Sequence, residues 1–232
     1  MPIEPFTGSF TIEPPAASHT ISASGTHLTM RAVPETDWWR IPPSKPYPTG
    51  VESHSGALFA RQVDATRDFT AGVWLRGGWG VQYDQGCLMV ITSASGVQGN
   101  WVKAGVEMEE GEEFISCVVT SPWSDWSIEP AKISTSTASS GPANAGAIYI
   151  QITREGPLLT VKKFLSKAGP WDTPPAEARQ ISGGSWVQLI WTTLGKPRAK
   201  QGDLWCVGCM VCGPTNKDGT TAEFFNFSFE YK

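Results

Sequence analysis

Residues 83–127 read YDQGCLMVITSASGVQGNWVKAGVEMEEGEEFISCVVTSPWSDWS. Three apolar runs with period-2 character are separated by two turn signals, SASGVQGN and EEGEE. That pattern predicts a β-meander of three consecutive antiparallel strands. The middle run, NWVKAGVEM, is the most informative. Successive strand side chains alternate faces, so Val102, Ala104, Val106 and Met108 form a core face. Trp101, Lys103, Gly105 and Glu107 point the other way. A Trp, a Lys and a Glu around a Gly make an unusual solvent face and resemble the floor of a binding surface. Gln85 shares parity with Cys87 and Met89, opposite Leu88 and Val90, so it joins that floor, whereas Asp84 points to the core side and reads as structural.

Working outward, the composition bounds the class. The chain has 232 residues, 40% of them hydrophobic, enough for one packed core. Gly 24 and Pro 18 suit many turns between short strands, and Trp 11 implies a large aromatic core or a surface that stacks on ligands. The net charge of -4, with no basic run, argues against nucleic-acid partners and against docking to anionic membranes. No apolar run approaches the ~20 residues needed to span a bilayer. MPIEPFTGSFTIEPP lacks the basic and apolar regions of a signal peptide, and five cysteines, an odd count, fit a reducing compartment. The expected location is therefore cytoplasmic. Cys206, Cys209 and Cys212 form a C-x2-C-x2-C pattern. A spacing of three puts Cys206 and Cys209 on opposite strand faces, and no second cysteine pair or H-x3-H supplies a fourth ligand. No metal and no cofactor is expected.

Elsewhere the same period-2 reading predicts strands at ALFARQV (57–63), DFTAGVWLRGG (68–78), AIYIQITREG (147–156), LLTVKKFLS (158–166), SWVQLIWTT, DLWCVGCMVCG and AEFFNFSFEYK. In the last of these Phe225, Phe227, Phe229 and Tyr231 are expected on one face. Four prolines in IPPSKPYPTGVESHSG make 41–56 a surface loop, Ser/Thr/Ala/Gly-rich 131–147 reads as a second, flexible loop, and PPAEARQIS holds one helical turn at most. Eleven to thirteen strands without a helix of note predict a β-sandwich or barrel, one domain over residues 1–232.

No nucleophile elbow, H-E-x-x-H, P-loop or Rossmann fingerprint is present. Of the three His, only His54, in the proline-rich loop close to the ALFARQV strand, is a site candidate. Glu107 and Glu109 share parity ~6.6 Å apart along a strand, but Glu109–Glu113 reads as a solvated turn. Lys103 and Glu107 lie roughly 13 Å apart along the strand and do not pair directly. Better evidence comes from four places where an aromatic meets hydrogen-bonding groups: Trp38-Trp39-Arg40, Tyr83-Asp84-Gln85, Trp101-x-Lys103-x-x-x-Glu107 and Ser124-Asp125-Trp126-Ser127. Aromatic faces stack on a sugar or other polar ring and the polar side chains orient it. The same clusters also read as packed turns and strand core.

The series DWWR, YDQ-x-x-LMV, NWVKAGVE and VVTSPWSDWS, in this order, resembles a family of bacterial and fungal domains of unknown function whose fungal members are named "regulation of enolase" proteins. The resemblance covers roughly residues 27–231. It implies an all-β, concanavalin A-like (lectin/glucanase) jelly-roll sandwich of two curved antiparallel sheets, with the ligand site on the concave one. Carried onto this chain, the pattern positions are Trp39, Arg40, Tyr83, Asp84, Gln85, Trp101, Lys103, Glu107, Asp125 and Trp126. The glucanase motif E-x-D-x-x-E of related sandwich enzymes is absent. Three functions are expected to compete. The first is a binding module for a carbohydrate or similar polar small molecule, with Trp101 stacking and Arg40, Gln85, Lys103 and Glu107 hydrogen-bonding. The second is an enzyme acting on a sugar-like or small-molecule natural-product substrate, with Glu107 or Asp125 as general acid/base and Lys103 or Arg40 stabilising negative charge. The third is a protein-interaction regulator of metabolism.

Overall fold

The computed structural model describes residues 1–8, 10–14, 16–93, 99–131, 147–165, 185–192 and 199–232. Among these, every element is a strand. The meander appears where the turn signals place it, as β8 (Gln85–Ile91), β9 (Trp101–Glu109) and β10 (Glu112–Thr120). It is extended at the edge by β11 (Ser124–Pro130), and on the other side by β15 (Leu204–Cys212), β6 (Ala57–Asp64) and β1 (Thr11–Glu13). The first sheet thus runs β1-β6-β15-β8-β9-β10-β11, all antiparallel.

The second sheet also has seven strands. It is built from β14 (Ser185–Thr192), β13 (Leu158–Leu165), β12 (Ile148–Glu155), β7 (Phe69–Gly77), β16 (Thr221–Tyr231), β3 (His27–Arg31) and β2 (Ser18–Ile21), in that order. Inward side chains of the two sheets meet in one core. Leu88, Val90, Val102, Ala104, Val106, Val207 and Cys209 come from the first sheet; Val73, Leu75, Ile148, Ile150, Ile152 and Phe224 come from the second. This is a two-layer, concanavalin A-like β-sandwich, held by apolar burial between alternating faces.

Two expectations are corrected. In β16 the four aromatics do not share a face: Phe224, Phe227 and Phe229 enter the core, while Phe225 packs on the outer side with Trp74, Tyr149 and Phe164. The register against β7 shifts between Phe225 and Ser228, and Asn226 adopts φ 52. A bulge of this kind inserts an extra residue and flips the parity downstream. Segment 41–56 is not wholly loop either. β5 (Val51–His54) pairs with β4 (Trp38–Ile41), and the prolines are confined to the connection, 42–50. The expectations for 131–147, except its end residues, and for PPAEARQIS lie outside the described residues.

The β4–β5 hairpin lies over the outer face of the first sheet. Trp38 is buried there, donating from Nε1 to the Gly56 carbonyl at 2.9 Å and meeting Trp101 edge-on at 5.4 Å between centroids. Around them sits a second apolar cluster of Leu58, Cys87, Met89, Ile91 and Met210. The half of this face that the hairpin leaves open carries the candidate site.

Asp84 ties two loops beside that opening. Its carboxylate accepts hydrogen bonds from the Gly80 and Val81 amides, from Asn216 Nδ2 and from the Thr220 hydroxyl. The sequence reading of Asp84 as structural agrees with these contacts. Replacing Asp84 with Ala strands several buried donors, so a loss of about 1–3 kcal/mol is expected. Thermal unfolding should show it as a lower Tm, roughly 2–4 °C for each kcal/mol. An unchanged Tm would remove Asp84 from this role.

Candidate functional site

The floor of the site follows from cross-strand register. One row across β15, β8 and β9 is Cys212–Gln85–Glu107. The next is Met210–Cys87–Gly105–Ser116, and the next Met89–Lys103–Val118–Trp126. The middle row is small at its centre, and a Cβ on Gly105 would meet the backbone of Gly86 and Cys87. Lys103 runs along the sheet across this row to reach Gln85. Its Nζ donates to Gln85 Oε1 at 2.8 Å. Gln85 Nε2 in turn donates to Glu107 Oε1 and to the Tyr83 carbonyl, both at 3.3 Å. Glu107 Oε2 accepts from the Ser116 hydroxyl at 2.5 Å and from Trp126 Nε1 at 3.1 Å. Lys103 and Glu107 are thus coupled through Gln85, not by direct contact.

Burial sets the electrostatics. Lys103 is 2% exposed and Glu107 5%. Burial works to lower the Lys103 pKa, but surrounding anions outweigh it and the ammonium is held above its ordinary value. The first of these groups is the Cys212 thiol, itself pushed well above 9.0 by burial; Asp37 and Glu107 follow. Asp37 Oδ1 lies 3.8 Å from Lys103 Nζ. The Glu107 carboxyl is raised, first by burial; Lys103 and the Ser116 hydrogen bond offset only part of this. Cys87 is pushed up to about 12 by burial, which leaves it a packed thiol and not a nucleophile.

Above the floor the hairpin supplies a wall. Asp37, Trp39 and Ile41 share one parity and line the cleft together with Val51, the cross-strand partner of Ile41. Tyr47 at the hairpin tip, Tyr83 and Trp126, and the Pro214-Thr215 turn close the remaining sides. Tyr83 adopts φ 67, a conformation costly for a bulky residue, and its ring meets Trp126 edge-on at 6.3 Å. The cleft encloses about 440 Å³.

With Asp84 set aside as structural, ten site candidates remain, His54 included, and six of them meet in one cleft: Trp39, Tyr83, Gln85, Lys103, Glu107 and Trp126. Four do not. Trp101 is fully buried beneath the hairpin and presents no face to the opening. Arg40 covers it at 4.5 Å, donates to the Pro122 and Gly99 carbonyls and pairs with Glu52. Asp125 alternates away from Trp126 and is exposed. His54 is exposed on the hairpin, its ring 6.1 Å from that of Trp38. Asp37, Ile41, Tyr47, Val51, Val118, Pro214 and Thr215 were not foreseen. Asp37 and Ile41 could have been, because they stand two residues either side of Trp39 on an alternating strand. Among the described residues, no three His, Cys, Asp or Glu side chains gather in an arrangement able to hold a metal ion.

Comparison with known proteins places the chain. The pattern of a family described as "Protein of unknown function (DUF1349)" matches residues 12–232. "Regulation of enolase protein 1" of Saccharomyces cerevisiae is 31% identical over 135 residues, 58% of each chain. "Uncharacterized protein AN7484" of Emericella nidulans is 30% identical over 103 residues, 44% of this chain and 48% of that protein. The chain thus aligns with about half the length of these curated relatives. A crystal structure of a functionally unknown protein from Saccharomyces cerevisiae superposes with a TM-score of 0.69 at 23% identity, covering 97% of both chains. A xylan beta-1,4-xylosidase from Bacillus halodurans shares the fold over 89% of this chain and 32% of its own, at TM-score 0.54 and 15% identity. The CBM2 module of the Lactobacillus casei BL23 phage J-1 evolved Dit does so at 0.50 and 11%, over 96% and 90%. At these identities the structural likeness establishes the fold alone.

The raised Glu107 carboxyl has a pH consequence. A folded pKa above the ordinary 4.5 contributes stability at low pH that is lost as pH rises through the folded value. Glu107→Gln cannot ionise, so its Tm relative to wild type should climb as pH rises from ~4 through that value, then level off. A difference that is flat with pH would show that Glu107 is not held up by burial.

Proposed function

The chain belongs to the DUF1349 family, whose description names no activity, and on that premise we propose that it is a lectin-like binding module taking a carbohydrate or similar polar small molecule. The ligand occupies the cleft between the β4–β5 hairpin and the outer face of the first sheet. One observation carries this reading: a buried, mutually hydrogen-bonded Lys103–Gln85–Glu107 array lies at the base of a cleft ringed by Trp39, Tyr47, Tyr83 and Trp126. Fixed polar groups beneath aromatic walls are the composition of a small-molecule site, and about 440 Å³ is a usual size for one. Trp39, Tyr83 and Trp126 provide ring faces; Lys103 donates and Glu107 accepts. Glu107 already holds hydrogen bonds on both oxygens, which suits a fixed acceptor better than a proton-transfer group. All five cysteines are free, as in a chain that works in a reducing compartment such as the cytoplasm. Among the described residues no helix is long and apolar enough to cross a membrane.

Thermal-shift screening over mono- and disaccharides and polar metabolites tests the reading. A ligand at 100 times its Kd raises the unfolding free energy by ~2.7 kcal/mol. Lys103→Met should weaken the response about 10-fold or more, the worth of one charge-assisted hydrogen bond. If no compound stabilises the wild type, or if the variant responds as the wild type does, the cleft is not a polar-ligand site.

A further inference from the structure

We propose that the ligand is an uncharged sugar ring and that Asp37 and Lys103 together grip two adjacent hydroxyl groups on it. The inference rests on the cleft-binding reading above and narrows it. It begins with what the two side chains leave unspent. An ammonium has three donors. Lys103 Nζ uses one on Gln85 Oε1 at 2.8 Å; its 3.8 Å separation from Asp37 Oδ1 is too long for a hydrogen bond. Contacts to the Asp37 carboxylate converge on Oδ1: the Trp38 amide at 2.7 Å, the Cys212 thiol at 3.8 Å and the Lys103 ammonium. Among the described residues no hydrogen bond reaches Oδ2, and Gln85 is the one hydrogen-bond acceptor for Lys103 Nζ. The carboxylate is about three-quarters buried, at 25% side-chain exposure, and both residues line the cleft.

A donor and an acceptor side by side, slightly too far apart to satisfy each other, match one chemical group well. Two hydroxyls on neighbouring ring carbons can fill the gap. One donates to Asp37 and the other accepts from Lys103, since each hydroxyl does both. The rest of the ring then lies against the aromatic wall of Trp39, Tyr47, Tyr83 and Trp126. Charge selects further. The lining carries one cation, Lys103, and two carboxyl groups, Asp37 and Glu107. A carboxylated sugar, though drawn to Lys103, would bring a third acid against them, and an amino sugar, though drawn to the carboxyl groups, would set an ammonium against Lys103. Like charges juxtaposed in a site are strongly disfavoured. Neither penalty falls on a neutral ring.

Calorimetric titration of the full chain with a matched set of methyl glycosides and disaccharides tests this. The set holds neutral xylo-, gluco-, galacto- and manno-configured sugars, their uronic acids and their 2-amino counterparts. At least one neutral sugar should bind 10-fold or more tightly than its charged counterparts. Asp37→Asn and Lys103→Met should each weaken it at least 10-fold, and the double variant should lose little beyond the worse single one, because both hold the same pair of hydroxyls. Monodeoxy versions of the tightest sugar, titrated into the wild type, give the answer without any variant having to fold. Two neighbouring hydroxyls should matter and the others should not. Tightest binding of an acidic or amino sugar overturns this proposal and leaves the cleft reading standing, as does a neutral sugar indifferent to Asp37→Asn and to loss of any neighbouring hydroxyl pair. Failure of every sugar and every polar metabolite to bind overturns both.

Discussion

An ammonium group at the end of Lys103 is almost entirely removed from water, and the outer face of the first sheet is arranged around that fact. A buried charge is costly unless it is paired and hydrogen-bonded. Lys103 is met by Gln85 from the neighbouring strand and faced by Asp37 from the start of the hairpin, while Glu107 from its own strand acts on it through Gln85 and its field. Each partner needs support in turn. Ser116 and Trp126 hold Glu107, and the Tyr83 carbonyl orients Gln85. Gly105, between Lys103 and Glu107 on β9, has no room for a side chain because the backbone of Gly86 and Cys87 lies against it. The polar floor is one connected unit in which no member can be exchanged without leaving a buried partner unmet.

Much of the fold was legible because alternation is a local property. The meander, the paired faces of β9 and the core face of β7 follow directly from period 2 in the sequence. The bulge in β16 was not legible. Four aromatics at even spacing look identical whether or not an extra residue interrupts them, and only pairing with β7 and β3 shows the break at Asn226. The short strand β5 was hidden by prolines that prove to sit just before it.

The site divides the same way. Gln85, Lys103 and Glu107 were placed together by parity alone, and the structure puts them on one floor. The along-strand distance correctly excludes a direct Lys103–Glu107 pair, but the bridge through Gln85 depends on cross-strand register, which a sequence does not display. Trp101 was misjudged because its parity is right and its cover is remote: Trp38 and Arg40 arrive from β4, far earlier in the chain. Trp39 and Arg40 were grouped as neighbours although neighbours on a strand face opposite ways. Applying alternation there would have dropped Arg40 and recovered Asp37.

The β4–β5 hairpin separates two requirements that most sites must reconcile. Its inner side, Trp38 and Arg40, anchors it to the sheet; its other side and its tip, with Trp39, Ile41, Tyr47 and Val51, shape the space above Lys103. The connection between its strands, residues 42–50, contributes Tyr47 to the rim but no side chain to either sheet's core. A change of length or composition there would redraw the opening while the charged floor and the packed layers beneath stay as they are. The sandwich is built as a mount with an interchangeable aperture, so the shape of the opening can drift in evolution without being drawn from the stability of the fold.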